Sequence, residues 1–281
     1  MTKHTDCTTM PTITSPLELL YHDNGVLIAQ TQAGAFDKFA AEDLYGAFNL
    51  GLHVGDNPIT VLNHRIELMG YLRQYQPAID RIHWLNQVHG NTVLMVDGSR
   101  SQRLYDADAL ISTRPNTALA IMTADCVPVA IFDEQAGVGN KAIACIHAGW
   151  QGLTLGVIAK TFAKIPTPNR PKAIIGACIS QAAYQIDAEL GDRIVRQVVA
   201  NELVALDESA LAQAILSADT SNKVRLDVAK LARLELEHLG VVVLNNEPIC
   251  SYHSPVHYSY RAQTHGKKSA TGRMALLIAA G

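Results

Sequence analysis

Three short segments share one build: an apolar run, then a residue able to ligate a metal, then small residues. They are WLNQVHG with His89, TADCVPV with Cys126 and CIHAGW with His147. Imidazole nitrogen and thiolate sulfur are the donors that suit Zn²⁺, and three protein donors leave a fourth tetrahedral position open for water or substrate. An open position is what a catalytic metal has and a structural one lacks. The three residues stand 37 and 21 positions apart, which matches no short metal-binding spacing. By spacing alone, two satisfied polar histidines and a small core cysteine are an equal reading.

For such residues to meet, the elements that carry them must end at one place. PLELLYH and GVLIAQTQ, divided by Asp23-Asn24-Gly25, predict a β-hairpin with an Asn-Gly turn. AAEDLYGAFNLGLHVGDN reads as Gly-rich and irregular. Asp56 or Asn57 then caps a helix with Pro58 near its first position, and Ile59, Leu62, Ile66, Met69 and Leu72 predict its apolar face. RIHWL and NTVLMVD flank the loop NQVHG.

Between residues 108 and 178 the runs ADALIS, ALAIMT, CVPVAIF, KAIACIH and KAIIGAC predict strands of a largely buried sheet. LTLGVIAKTFAKI predicts one helix ended by Pro166, opened by Gly149 and Gly152. Further helices are expected at 187–200 and 226–239, and VVVLN and RMALLIAA predict closing strands. YSYR reads as an ordinary strand and HGKKSATG, residues 265–272, as a mobile loop. Strands and helices alternate without a clean βαβ period. A mixed α/β domain spanning 16–281, behind a flexible leader of residues 1–15, is the expected organisation.

Composition narrows the classes. A chain of 281 residues, 48% hydrophobic and 17% charged, can bury a large core and is not disordered. Its net charge of -3 gives no electrostatic ground for a nucleic-acid or anionic-membrane partner. MTKHTDCTTMPTITSP has no apolar stretch of the kind that directs secretion, and TALAIMTADCVPVAIF is broken by Asp125, so no membrane span is expected. Five scattered cysteines without a C-x-x-C pair argue against a disulfide framework and fit a reducing cytoplasm.

WLNQVHG, MTADCVPV, CIHAGW, and SYR followed by TGRMA together resemble the YfiH family from about FNLGLHVGDNP to the C-terminus. That family is also labelled laccase-like or multicopper polyphenol oxidoreductase, and contains purine nucleoside phosphorylases. The resemblance implies that His89, Cys126 and His147 are the metal ligands, holding zinc, with copper as the alternative. It implies phosphorolysis of adenosine, inosine, guanosine and methylthioadenosine, with deamination of adenosine. The partners are then a purine nucleoside and phosphate, in a monomer or small homo-oligomer. It also implies a layered α/β/β/α sandwich of mixed β-sheets, a fold shared with a class of bacterial cysteine-deamidase toxins.

Deamination needs an activated water and a group that carries a proton to the leaving ammonia. Asp125, next to Cys126, is the candidate, with Asp108 of DADALIS second; Asp125 as a turn residue orienting a ligand is the competing reading. The common deaminase pattern, H-x-E with P-C-x-x-C, is absent. Phosphorolysis needs cations around a phosphate, a task that suits the planar fork of arginine. Arg65 in VLNHRIEL, Arg261 in YSYR and Arg273 in TGRM are the candidates, each also open to an ordinary surface role. Gln87, Trp150, Tyr258 and Tyr260 are candidates for contacting the nucleoside.

Several positions depart from the family pattern. Gln151 stands where the family has Arg, Cys178 and Ser180 replace Pro and Gly, His64 replaces Asn, and the linker between SYR and TGRMA is longer. Four alternatives remain beside the phosphorylase. They are a copper polyphenol oxidase, which the lack of His-x-His pairs disfavours; a hydrolase editing a cell-wall precursor; a Cys126–His147 nucleophilic hydrolase; and a regulatory role without turnover.

Overall fold

A computed structural model describes residues 15–34, 36–96, 105–133, 142–166, 169–220 and 222–281. The leader apart from Ser15, together with Cys7, lies outside them. The predicted hairpin forms from Leu17–Asp23 and Val26–Thr31. Asn24 and Gly25 both take positive φ, 50° and 72°, as a two-residue turn that follows the sheet twist requires.

Val26–Thr31 continues into a five-stranded sheet through antiparallel Met274–Ala280, then Thr117–Thr123, with Arg81–His83 parallel at the edge. A six-stranded mixed sheet runs in the order Val242–Val243, Pro171–Ile175, Val127–Asp133, Ile143–Ala148, Ala109–Ser112 and Val93–Val96. The two sheets pack face to face. Ile28, Leu119, Ile121 and Leu276 of one meet Leu110, Phe132, Ile143 and Cys145 of the other in a fully buried layer. The helix Pro58–Arg73 covers the outer face of the first sheet. Trp150–Thr154, Val157–Phe162, Ala188–Ala200, Glu208–Ile215 and Val228–His238 cover the second. The order of layers is therefore α/β/β/α, as expected.

Four local expectations change. The helix Pro58–Arg73 is capped by Asn57 as read, but Ile59, Leu62 and Ile66 of the predicted apolar face point to solvent, and Val61, Leu68 and Leu72 are the buried set. The inward stripe tolerates polar residues because His64 meets the Asn49 carbonyl and Arg65 the Leu50 carbonyl. The single helix expected before Pro166 is two, because Gly156 takes φ 72° and turns the chain between them. The first begins at Trp150 with Gly149 as its N-cap, and Gly152 lies inside it. YSYR is no strand: Ser259 caps a short helix, Tyr260–His265, by accepting from the Ala262 amide.

The segment 265–272 is tied down rather than free. Lys268 is buried, and its ammonium donates to the Asp37, Lys38 and Asp43 carbonyls. A small three-stranded sheet, Gln185–Asp187, Lys223–Leu226 and Leu216–Thr220, and the helix Glu208–Ile215 were not anticipated by the hydrophobic pattern.

Candidate metal centre

The site forms where the chain crosses between the sheets. Thr117–Thr123 belongs to the first sheet and Val127–Asp133 to the second, so residues 124–126 bridge the two layers at their common end. Asp125 turns this crossing at φ 105°, a backbone conformation that costs a non-glycine residue energy and persists where its surroundings enforce it. They do so firmly. The Asp125 carboxylate accepts from the Ser251 hydroxyl at 2.6 Å, the Ser259 hydroxyl at 3.1 Å and the Arg261 amide at 2.7 Å, and its carbonyl accepts from the Ile179 amide. Cys126 follows immediately.

His147 comes to the same place near the end of the strand Ile143–Ala148, opposite Pro128 in the register. His89 arrives on a loop, at φ 59°. Both are set by Asp108, which is fully buried. Its carboxylate meets the His147 Nδ1 at 2.8 Å and accepts from the amides of His89 at 2.9 Å and Gly90 at 2.7 Å. With Nδ1 of His147 engaged by the carboxylate, Nε2 is the nitrogen left for a metal, the usual way an outer residue fixes a ligating histidine.

The ligand atoms of His89, Cys126 and His147 all lie within 4.8 Å of one another, and the two imidazole rings stand edge to face with centroids 4.7 Å apart. Burial alone would push the Cys126 thiol up, but the adjoining His147 and His89 outweigh it and hold the thiol well below its ordinary value. Burial likewise opposes charge on His147, and Cys126 and Asp108 together overcome it in the other direction. The donor set fits a metal on a second ground. A Cβ placed on Gly149 would stand 3.1 Å from the Cys126 sulfur and 3.5 Å from a ring carbon of His89, so glycine keeps the space beside the ligands clear.

The three residues open onto a cavity of about 730 Å³, within the usual range for small-molecule sites. Of the other predicted residues, Asp125, Gln87, Trp150, Tyr260, Arg261 and Arg273 line it. Gln87 has both ends of its amide on the Met122 backbone. Arg261 donates to the Gln185 carbonyl over the Tyr184 ring, and Arg273 to the Thr271 and Gly272 carbonyls. Gln151 lines the wall too.

Arg65 does not line the cavity: its guanidinium donates to the Leu50 carbonyl and lies 4.1 Å above the Trp84 ring. Tyr258 is buried away from it, packed on Gly272 and bonded to the Tyr45 carbonyl. His53, Tyr184, Thr264 and His265 line the cavity without having been singled out from sequence. Partial burial, with Arg273 and Arg65 nearby, lowers the pKa of His53 and keeps its imidazole neutral. Among the described residues no helix is long and apolar enough to cross a membrane.

Comparison with known proteins gives the family and the fold. Residues 31–281 match the family model described as multi-copper polyphenol oxidoreductase laccase. A protein of Corynebacterium glutamicum named purine nucleoside phosphorylase is 32% identical over 254 residues, 88% of this chain and 91% of its own. Purine nucleoside phosphorylase YfiH of Escherichia coli is 34% identical over 238 residues, covering 83% and 86%. The crystal structure of Neisseria meningitidis protein NMB0706 superposes with a TM-score of 0.74 at 29% identity, covering 95% of this chain and 99% of that one.

Proposed function

We propose, for a chain that belongs to the multi-copper polyphenol oxidoreductase laccase family of YfiH-type proteins, a zinc-dependent purine nucleoside phosphorylase that also deaminates adenosine. The observation that carries the reading is one cavity holding a His₂Cys donor set, aromatic walls and two arginines. Relatives named purine nucleoside phosphorylase at 32–34% identity support it. Adenosine, inosine, guanosine and methylthioadenosine are the proposed nucleosides, and the cytoplasm the proposed location.

His89, Cys126 and His147 would hold the metal, which when bound supplies a Lewis acid and a means of activating water. Two imidazoles and a thiolate suit zinc or copper rather than a hard cation. Among the described residues this is one isolated group of three donors, which favours a single zinc over the several coppers an oxidase uses.

The protein's own residues do the rest. Trp150, Tyr184 and Tyr260 offer ring faces to the purine. Arg261 and Arg273 are each anchored by carbonyls through part of the guanidinium, which leaves further N–H donors of each fork for phosphate. A phosphate oxygen bonds to C1′ as the C1′–N9 bond breaks, its electron pair passing to the purine, which takes up a proton. In deamination, water adds at C6 and the amino group leaves as ammonia after receiving a proton. Asp125 is fully engaged by three donors, so its role is to position Arg261 rather than to carry protons. Neutral His53 on the wall is the group assigned to proton transfer. Arg65, held by the Leu50 carbonyl against the Trp84 ring, has a supporting role behind the wall.

Purified protein incubated with adenosine, with and without phosphate, tests the reading by chromatography. Adenine released only with phosphate supports the phosphorylase and inosine the deaminase. Neither product at high enzyme would sink both. One observation favours a second reading: Asp108, His147 and Cys126 lie in the order of a carboxylate–imidazole–thiol hydrolase. Stoichiometric zinc that disappears in Cys126→Ala would contradict a free thiolate nucleophile.

A further inference from the structure

Four cysteines among the described residues are free thiols. Cys126 belongs to the candidate metal centre, and Cys145 lies fully buried between the two sheets. The other two stand side by side. Cys178 and Cys250 are opposite each other in an isolated parallel bridge. The Cys178 amide donates to the Ile249 carbonyl at 3.1 Å and the Ser251 amide to the Cys178 carbonyl at 2.8 Å. Neighbouring strands lie about 4.8 Å apart, inside the range of about 4.4–6.8 Å between Cα atoms that a disulfide spans. The two side chains also share a face. Alternate residues of an extended chain project to one side, and the hydroxyl of Ser180, two positions beyond Cys178, donates to the Cys250 sulfur at 3.1 Å.

We propose that peroxide closes a reversible disulfide between Cys178 and Cys250, and that its closing loosens the candidate metal centre. The pair can be reached. Cys250 is partly exposed, and a second cavity, of about 390 Å³, is lined by Cys178 and Ser180. Burial, then Cys250 beside it, pushes the Cys178 thiol well up, so the oxidant reacts first at Cys250. The Cys250 thiolate attacks one peroxide oxygen; the S–O bond forms, the O–O bond breaks and hydroxide leaves. The Cys178 sulfur then attacks the Cys250 sulfur. The S–S bond forms, the S–O bond breaks, and water leaves with the Cys178 proton.

The residue that follows each cysteine holds Asp125. The Ile179 amide donates to the Asp125 carbonyl at 2.9 Å, and the Ser251 hydroxyl to its carboxylate at 2.6 Å. Asp125 in turn shapes the crossing that carries Cys126. A disulfide holds its Cβ atoms about 3.8 Å apart, closer than paired strands stand. Closing it therefore draws the two segments together and takes the Cys250 sulfur from the Ser180 hydroxyl. Both anchors of Asp125 move with the segments. Cys178 and Cys250 are thus positioning residues, acting on the centre through Asp125.

A brief pulse of hydrogen peroxide on the zinc-loaded protein tests this. Non-reducing tryptic mapping should give one cross-linked pair, the peptides carrying Cys178 and Cys250, which dithiothreitol separates. Amide exchange at Ile179 should quicken in the oxidised protein and return on reduction. Both readouts hold whatever substrate the centre takes; nucleoside turnover should fall several-fold alongside them and recover with dithiothreitol. Cys250→Ser and Cys178→Ala should each keep the turnover of the reduced protein and show no change in Ile179 exchange under the same pulse. Peroxide that oxidises methionine yet leaves 178 and 250 unlinked overturns the proposal. So does a link from Cys126 to either, or a 178–250 link that leaves exchange at Ile179 unchanged.

Discussion

At the scale of single residues, Asp108 does more for the centre than its place in DADALIS announces. One carboxylate orients the His147 ring and receives the amides of His89 and Gly90, so it sets two of the candidate ligands, which are far apart in sequence. Asp108→Asn keeps the shape and removes the charge that fixes the His147 tautomer. Outer-residue changes of this kind cost about 10–100-fold in metal affinity. Competition with a chelator should show a loss in that range, with the fold retained. That His89, Cys126 and His147 come together was legible, because each follows an apolar run, is followed by small residues, and stands in a motif of the YfiH pattern. Tyr184 and His265 were not legible: nothing in their local pattern distinguishes a wall residue from a surface one. Arg65 was misplaced for a physical reason. Its fork finds a carbonyl and an aromatic face on the inner side of its helix before it can reach the cavity.

At the scale of elements, the crossing at 124–126 and the helix Tyr260–His265 form one device. Asp125 holds the start of that helix through Ser259 and the Arg261 amide, and the helix delivers Tyr260, Arg261, Thr264 and His265 to the cavity wall. Behind it, Lys38 donates to the Ser251 carbonyl while the Ser251 hydroxyl donates to Asp125. Burial lowers the Lys38 pKa to about 8, against the pull of Asp125. Lys268 clamps the following segment to carbonyls of 37–43. Lys268→Met should release it. Amide exchange across 265–272 should rise, and KM for the nucleoside should increase several-fold with kcat less affected. Strand periodicity found most of the sheet, since the buried strands are continuous apolar runs. It missed this helix because an aromatic-rich YSYR has strand propensity, and only the Ser259 cap and Asp125 overrule it.

At the scale of the whole molecule, the layers follow from which faces are apolar, and the resemblance to YfiH proteins supplied an order that periodicity alone could not. One buried group works against this packing. Glu235 is almost fully buried in the helical layer, neither carboxyl oxygen has a partner, and burial holds its pKa well above the ordinary value. The folded protein therefore keeps a proton that the unfolded chain releases near pH 4.3. Its contribution to stability is complete below that pH and is lost as pH rises toward the folded pKa. Glu235→Gln should raise Tm by a few degrees near pH 8 and by less near pH 5, as calorimetry at both values would show.

The whole account turns on the proposed metal site at the end of the two sheets. The most direct test is to strip the protein, titrate Zn²⁺ back, and follow hypoxanthine release from inosine in phosphate. Turnover should grow linearly to a plateau at one metal per chain, and His147→Ala should show none at any ratio. Full phosphorolysis by the stripped protein, or a plateau unrelated to bound metal, would contradict it.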